Sequence, residues 1–214
     1  MMEHLYPIYL SLAGKNCLII GGGPVAERKA ASLLEYGAQI KVISPRVEKG
    51  IAEWANDDLL IWTAREFAVN DLEGSFMVFI ATDDNSLNQE IAWLCRQRDI
   101  LVNAVDDPPN CDFFVPSVLR RDSLAVAIST EGKSPLFAAR LRRELEAIIT
   151  EEHGKFVNIL GQIREEVKNS SLDINQRKQI LEQIVNSDIF ALLQAGRDEE
   201  VEERINQCMS SLRG

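Results

Sequence analysis

The chain has 214 residues, 46% of them hydrophobic and 26% charged, the balance of a globular protein with one large or two small domains. Its formal net charge of −10 speaks against nucleic acid and anionic membranes as partners. No apolar run approaches the roughly 20 residues needed to cross a bilayer. The N-terminal MMEHLYPIYLSL lacks the basic region and small-residue cleavage site of a secretion signal, so a cytoplasmic location is expected. Cys17, Cys95, Cys111 and Cys208 form no C-x-x-C pair, and the histidines are only His4 and His153. Neither a disulfide framework nor a zinc site is expected.

The first 105 residues alternate strand and helix. Cys17-Leu-Ile-Ile20 predicts a buried strand over 17–21, followed by a glycine turn, a helix over 25–36 that stops at Gly37, and a strand over 39–43. Within this stretch, Gly21-x-Gly23-x-x-Ala26 matches the dinucleotide-binding fingerprint. Gly21 permits the tight turn, Gly23 lets backbone approach a pyrophosphate, and Ala26 lets helix pack on sheet. The free N–H groups at the helix start then face the phosphates. A short helix near 46–55 leads to a strand at 59–63, and FMVFIAT (76–82) is an apolar run of the kind parallel sheets bury on both faces. Ser86-Leu-Asn-Gln89 predicts a capping box opening a helix whose apolar face is Leu87, Ile91, Leu94 and Cys95. A strand at 100–105 follows. Five such strands imply an α/β, doubly wound parallel (Rossmann) sheet over 1–112, with its ligand beyond the carboxyl ends of the strands.

After Asp107-Pro108-Pro109-Asn110 the pattern changes. FFVPSVLRR and SLAVAIST predict a hairpin, and Ser134-Pro135 an N-capped helix with a Phe137, Leu141, Leu145, Ile148 stripe. This small α+β region, 113–150, precedes a helical C-terminal domain, 151–214. Its stripes are Phe156, Ile159, Leu160, Ile163 and Val167, then Ile180, Leu181, Ile184 and Val185, then Val201, Ile205, Cys208 and Leu212. These helices are too short to stand alone and must pack together or on a second chain.

The polar residues at the strand ends are the candidates for chemistry. Thr82, Asp83, Asp84 and Asn103 border the cofactor crevice, where they can meet nicotinamide and ribose or serve as caps and turns. Asp106 directly follows an apolar strand; in a partly desolvated cleft such a carboxylate can accept a proton. No His, Lys or Tyr is evident beside the crevice. The second strand ends in Ser44-Pro45-Arg46 instead of the acidic residue of NAD sites. Ser44 suits a ribose hydroxyl and Arg46 a 2′-phosphate, which leaves NAD and NADP both open. Arg120, Arg121, Lys133, Arg140, Arg142 and Arg143 form a basic island in an acidic chain, suited to an anionic small ligand or simply to solvated positions. Ser129-Thr130-Glu131-Gly132-Lys133-Ser134-Pro135 gathers hydroxyls, a glycine and helical N–H groups, suited to a carboxylate or a phosphate.

Four blocks, GGGPVAERKAASLLEYGAQIKVISP, ATDDNSLNQEIAWLC, VNAVDDPPNCDFFVPSVLRR and LAVAISTEGKSPLFAARLRRELE, together resemble the precorrin-2 dehydrogenase/sirohydrochlorin ferrochelatase family, which includes the N-terminal half of siroheme synthases. The resemblance runs from about residue 5 to 149; the tail matches in general character. It implies NAD-dependent oxidation of precorrin-2 to sirohydrochlorin, and a homodimer with a central dimerisation region. The aspartate of the family's N-V-V-D block falls on Asp106, and the hydroxyl of its S-S-G-G-x-S-P block, which lines the tetrapyrrole site, on Thr130. Contacts to the cofactor fall on Gly21, Gly23, Pro24, Val25, Ser44, Pro45 and Arg46, which tips the cofactor toward NAD. The eight carboxylates of precorrin-2 suit a groove of Arg120, Arg121, Lys133, Arg140 and Arg143, with Ser134 a further substrate contact. Some family members also insert Fe²⁺; here dehydrogenation alone is favoured, and a metal would have only Asp106 and the macrocycle nitrogens. With no chelatase or methyltransferase domain following, a stand-alone version is expected. A different class of reading is an NAD(H)-sensing regulatory module, which explains the glycines but not Asp106 and the basic island together. A third, a dehydrogenase of another substrate, wants the missing His, Lys or Tyr.

Overall fold

A computed structural model describes residues 4–210 and divides the chain into two compact units, Met1–Val115 and Pro116–Gly214. Leu212, expected to close the last apolar stripe, lies outside the described residues.

In the first unit, every residue of Cys17–Ile20 is buried, because β1 (Asn16–Ile20) is the central strand of a five-stranded parallel sheet. Its neighbours are β2 (Gln39–Ile43) and β4 (Met77–Ile80); β3 (Ile61–Thr63) and β5 (Leu101–Ala104) are the edges, in the order β3-β2-β1-β4-β5. Alternation along β1 feeds two cores. Cys17 and Ile19 pack with Ala26, Ala30 and Leu33 of α1 (Pro24–Glu35) and Ile51 of α2 (Lys49–Asn56). Leu18 and Ile20 pack with Ile91, Ala92 and Cys95 of α3 (Asn85–Arg96). Helices on both faces make the expected doubly wound Rossmann arrangement.

The elements begin and end for local reasons. Gly23 caps α1 in extended conformation with Pro24 at the first position, and Gly37, at φ +70°, ends it as expected. The capping box expected at Ser86–Gln89 does not form. Asp84 Oδ1 instead accepts the N–H groups of Ser86 and Leu87, each at 3.0 Å, and α3 starts two residues earlier. An Asp ahead of a Ser offers the same cap without the hydroxyl's rotational freedom. The expected strands are right in place and order but one to two residues shorter at several ends, where the chain leaves the ladder for the turns that form the site.

In the second unit, β6 (Ser117–Arg121) and β7 (Leu124–Ile128) form the expected antiparallel hairpin, turning at Asp122 with φ +46°. Ser134 caps α4 (Pro135–Glu146), its Oγ accepting Phe137 N–H at 3.3 Å. The tail folds as α5 (Glu151–Lys168), α6 (Ile174–Val185), α7 (Ile189–Gln194) and α8 (Asp198–Ser210) around one core. The expected stripes hold except that Val185 and, from the stripe expected along α4, Phe137 and Ile148 are exposed, and α7, with buried Ile189, Leu192 and Leu193, was not anticipated as a separate helix. Gly154 lies so close to the Arg121 carbonyl that a Cβ would approach it to 2.6 Å, so α5 packs on the hairpin through a bare backbone face.

One polar knot braces the first unit. Asp71, nearly fully buried, accepts Lys41 Nζ at 2.8 Å, two Arg65 nitrogens at 2.7 Å and Ala68 N–H at 3.0 Å. The Arg65 guanidinium, then Lys41 and the Ala68 amide, hold its carboxyl well below the usual carboxylate range. A depressed carboxylate stabilises the fold above its unfolded pKa of about 4 and loses that contribution as pH falls below it. Urea unfolding followed by the fluorescence of Trp54, Trp62 and Trp93, all in this unit, is therefore expected to show stability falling below about pH 4. Asp71→Asn should flatten that fall and cost about 2–4 kcal/mol at pH 7.

Candidate functional site

The carboxyl ends of the five strands are tied to one another by backbone bonds. Gly21 N–H donates to Ile43 O at 3.0 Å, Ala81 N–H to Ile20 O at 2.7 Å, Val105 N–H to Ile80 O at 3.0 Å and Ser44 N–H to Thr63 O at 3.3 Å. The result is a rim on which the sequence-expected residues Gly21, Gly23, Pro24, Val25, Ser44, Pro45, Arg46, Thr82, Asp83, Asn103 and Asp106 all sit, at the point where strand order reverses between β1 and β4.

The glycines have distinct roles. Gly21 takes φ +115°, and a Cβ there would lie 2.1 Å from Ala81 O. A Cβ on Gly22 would lie 2.0 Å from Arg46 O, while Glu48 N–H donates to Gly22 O at 2.8 Å. A Cβ on Gly23 would meet nothing within 4 Å. Gly21 and Gly22 thus make the close approaches within the protein, and Gly23, at the start of α1, faces open space. An open glycine backbone at a helix N-terminus fits the pyrophosphate of a dinucleotide. Gly22 was missed because the fingerprint counts it as any residue; the run Gly21-Gly22-Gly23 was the available signal.

Other side chains of the rim are engaged inside the protein. Ser44 Oγ donates to Arg46 O at 2.7 Å, leaving Arg46 exposed. Thr82 Oγ1 donates to Asn88 Oδ1 at 2.5 Å and accepts Asp84 N–H at 3.3 Å, holding the turn from β4 into α3. Asn103 is buried, with its amide nitrogen donating to Phe113 O at 2.9 Å and to Cys111 Sγ at 3.4 Å.

Those bonds fold the chain back after β5. Asn103 and Cys111 form an isolated antiparallel bridge, Asp112 N–H donates to Val102 O at 2.8 Å, and Asp112 Oδ2 accepts Val102 N–H at 3.2 Å. Arg96, in the last turn of α3, reaches Asp112 at 3.3 Å and Pro109 O at 2.9 Å. Asp106 stands at the mouth of this tied loop in the left-handed region, φ +59°, a conformation Asp tolerates better than most residues. It is exposed, so the partly desolvated carboxylate expected from the sequence is not what the chain alone presents.

Sequence reasoning found no lysine beside the crevice, and the structure corrects this. Lys29 lies on the inner side of α1 with Nζ 5.3 Å from the Phe79 ring centroid, and Phe79 meets Phe113 edge-on at 5.4 Å. Burial pulls its ammonium below the ordinary lysine range, Arg28 adds to this, and Cys111 and Asp106 oppose it. The signal was its register, three residues after Ala26 and four before Leu33, on the face that packs against the sheet.

Thr130, Ser134, Arg120, Lys133 and Arg140 lie in the second unit. Thr130 Oγ1 accepts Ser134 N–H at 3.0 Å, closing a turn through Glu131 (φ +52°) and Gly132 (φ +77°). The basic island is not a bare patch. Arg140 pairs with Glu144 at 2.7 Å, Arg142 with Glu146, Lys133 with Glu131 at 3.5 Å, and Arg121 with Glu151 at 3.2 Å and Ile149 O at 3.1 Å. The exposed Arg140–Glu144 pair is worth about 0–1 kcal/mol, so an anionic ligand can displace its carboxylate at small cost. Among the described residues no helix is long and apolar enough to cross a membrane.

Comparison with known proteins matches the order of these regions. A family model described as "Putative NAD(P)-binding" matches residues 8–117, one described as "Sirohaem biosynthesis protein central" matches 121–148, and one described as "Sirohaem synthase dimerisation region" matches 152–209. A siroheme synthase of Nitrosococcus oceani is 35% identical over 94% of this chain and 43% of its own length. One of Photorhabdus laumondii is 37% identical over 96% of this chain and 44% of its own. The chain thus spans less than half the length of these relatives. A solved structure of SirC, a precorrin-2 dehydrogenase, superposes with a TM-score of 0.77 at 26% identity, over 93% of this chain and 100% of that one. With the putative NAD(P)-binding model covering more than half of its residues and the two sirohaem models following in order, the chain belongs to the family of NAD(P)-binding sirohaem-synthesis proteins that these models describe.

Proposed function

We propose that the protein oxidises precorrin-2 to sirohydrochlorin with NAD⁺, in the synthesis of siroheme. The observation that carries this is Asp106: an exposed carboxylate on a loop tied down at both ends, on the same strand-end rim as a glycine turn whose Gly23 backbone is open. The likeness to SirC over the whole of that chain supports the same substrate.

When bound, the nicotinamide supplies the hydride acceptor. The chain's residues do the rest. Gly23 and Val25 offer backbone N–H groups to the pyrophosphate at the positive end of α1, with Gly21 making the turn and Pro24 opening the helix. Ser44, Pro45 and Arg46 hold the adenosine ribose, and Thr82, Asp83 and Asn103 shape the rim toward the nicotinamide. Asp106 accepts the proton released as the macrocycle is oxidised, its position fixed by Arg96, Asn103 and Cys111. Thr130 and Ser134 line the tetrapyrrole, with Arg120, Lys133 and Arg140 meeting its carboxylates. Regions 1–112, 113–150 and 151–214 are then the cofactor domain, the dimerisation and substrate-groove region expected from the sequence, and the helical C-terminal domain, with the dimerisation-region match over 152–209 favouring the last for dimer contacts. The working form is a homodimer in the cytoplasm, consistent with the dimerisation-region match.

NAD⁺ is preferred on the family resemblance, with Arg46 the group open to a 2′-phosphate. Arg46→Ala should leave NAD⁺ turnover within about threefold and lower NADP⁺ turnover by about tenfold or more, read from kcat/KM with each cofactor. Loss of a general base costs about 10²–10⁴ in rate, so Asp106→Asn is expected to lower kcat by that order while NADH fluorescence titration stays unchanged. Full turnover by Asp106→Asn removes Asp106 from the mechanism. We propose dehydrogenation without chelation; Fe²⁺ or Co²⁺ insertion into sirohydrochlorin above the protein-free rate would overturn that part.

A further inference from the structure

Ser44, the first residue beyond β2, has each of its polar groups engaged within the protein. Its N–H donates to Thr63 O at 3.3 Å, its carbonyl accepts Trp62 Nε1–H at 2.9 Å, and its hydroxyl donates to Arg46 O at 2.7 Å. Trp62 is itself well placed to hold that carbonyl. It pairs with Val42 in the β2–β3 ladder, and its ring packs against the core that contains Ala26, Ala30 and Ile51. A serine hydroxyl has one proton to give and two lone pairs. With the proton committed to a carbonyl, Ser44 has only lone pairs left for a ligand. Pro45, next in the chain, carries no N–H. The 44–45 stretch therefore accepts hydrogen bonds and has none to donate. A Cβ on Gly22 would lie 2.8 Å from Ser44 Oγ, so this acceptor stands against the glycine turn, on the rim where the ribose follows the pyrophosphate.

We propose that Ser44 is the specificity-determining residue for the 2′ position of the cofactor's adenosine ribose, fixed as an acceptor by Arg46 O and steadied through its carbonyl by Trp62. A free 2′-hydroxyl has a proton to donate to it. An ionised 2′-phosphate has only acceptor oxygens and meets lone pairs with lone pairs. Ser44 thus takes the part that an acidic residue plays in other NAD sites, without the charge. The exposed Arg46 guanidinium acts the other way, so selection is the difference between the two. This rests on the reading that the rim binds a nicotinamide dinucleotide. Trp62 is a positioning residue that acts through Ser44.

The test is titration of the full chain with NADH and with NADPH, followed through the fluorescence of the reduced nicotinamide, and the quantity read is the ratio of the two Kd values. The wild-type protein should bind NADH about tenfold or more tighter than NADPH. Ser44→Ala should lower that ratio about fivefold or more, and Ser44→Thr, which keeps the hydroxyl, should hold it within about twofold. Trp62→Phe keeps an aromatic ring and removes the N–H, and should lower the ratio about twofold to fivefold. A merely structural loss weakens both dinucleotides together and leaves the ratio unmoved. If Ser44→Ala does not fold, Ser44→Cys, with a poorer acceptor of similar size, carries the same comparison. Equal affinity for NADH and NADPH in the wild type overturns the proposal, as does an unmoved ratio in Ser44→Ala. An unmoved ratio in Trp62→Phe overturns the role of Trp62. Wild-type protein that binds neither dinucleotide refutes the nucleotide reading itself, whereas selective NADH binding that Ser44→Ala leaves intact refutes only the selection by Ser44.

Discussion

The arrangement of the first unit depends on two side chains that are missing. Cβ atoms on Gly21 and Gly22 would come within 2.1 Å of Ala81 O and 2.0 Å of Arg46 O, separations no packed protein tolerates. Their absence lets the end of β1 sit against the ends of β4 and β2 at once. The backbone bonds from Gly21 to Ile43, Ala81 to Ile20 and Glu48 to Gly22 follow from that approach. So does the exposure of Gly23, which is left with open space at the positive end of α1. Glu27, one turn into that helix, then accepts Gly50 N–H at 2.7 Å and clamps α2 in place, so the nucleotide end is braced from a single helix.

The other half of the rim is built by side chains. Asn103, Cys111, Asp112 and Arg96 return the chain along β5, and Asp106 is the residue left at the mouth. These hydrogen bonds and one partly exposed ion pair do what a longer strand could not: they end the sheet while tying down its next residues. Rigid support of a reacting group limits the geometric loss that a mobile loop would bring. The Lys29–Phe79–Phe113 stack packs on β4, the strand paired with the one this loop leaves.

Much of this was legible in the sequence, for physical reasons. Continuous apolar runs such as Cys17–Ile20 and FMVFIAT can only be strands buried on both faces, and glycines between such a run and an amphipathic helix can only be a tight turn. Ser134-Pro135 named its helix start because cap and first-turn chemistry are local. Less legible were features set by tertiary approach. Gly22 is constrained by Arg46, twenty-four positions on. Thr82 and Asn103 face inward because Asn88 and Phe113 happen to meet them there. The basic residues at 121, 133, 140 and 142 read as a ligand groove, but each has an acidic neighbour within pairing distance. Asp106 read as partly desolvated because burial of the strand before it says nothing about exposure of the turn after it. Lys29 was overlooked because its partner is an aromatic face on another strand.

The central claim is that this rim oxidises a tetrapyrrole and does not merely sense a nucleotide. The most direct measurement is anaerobic incubation of the pure protein with precorrin-2 and NAD⁺, following NADH and sirohydrochlorin absorbance together. The account predicts that both rise in equal amounts and only when protein, precorrin-2 and NAD⁺ are all present. Tight NADH binding with no tetrapyrrole-dependent change would contradict it and leave a nucleotide-responsive module in its place.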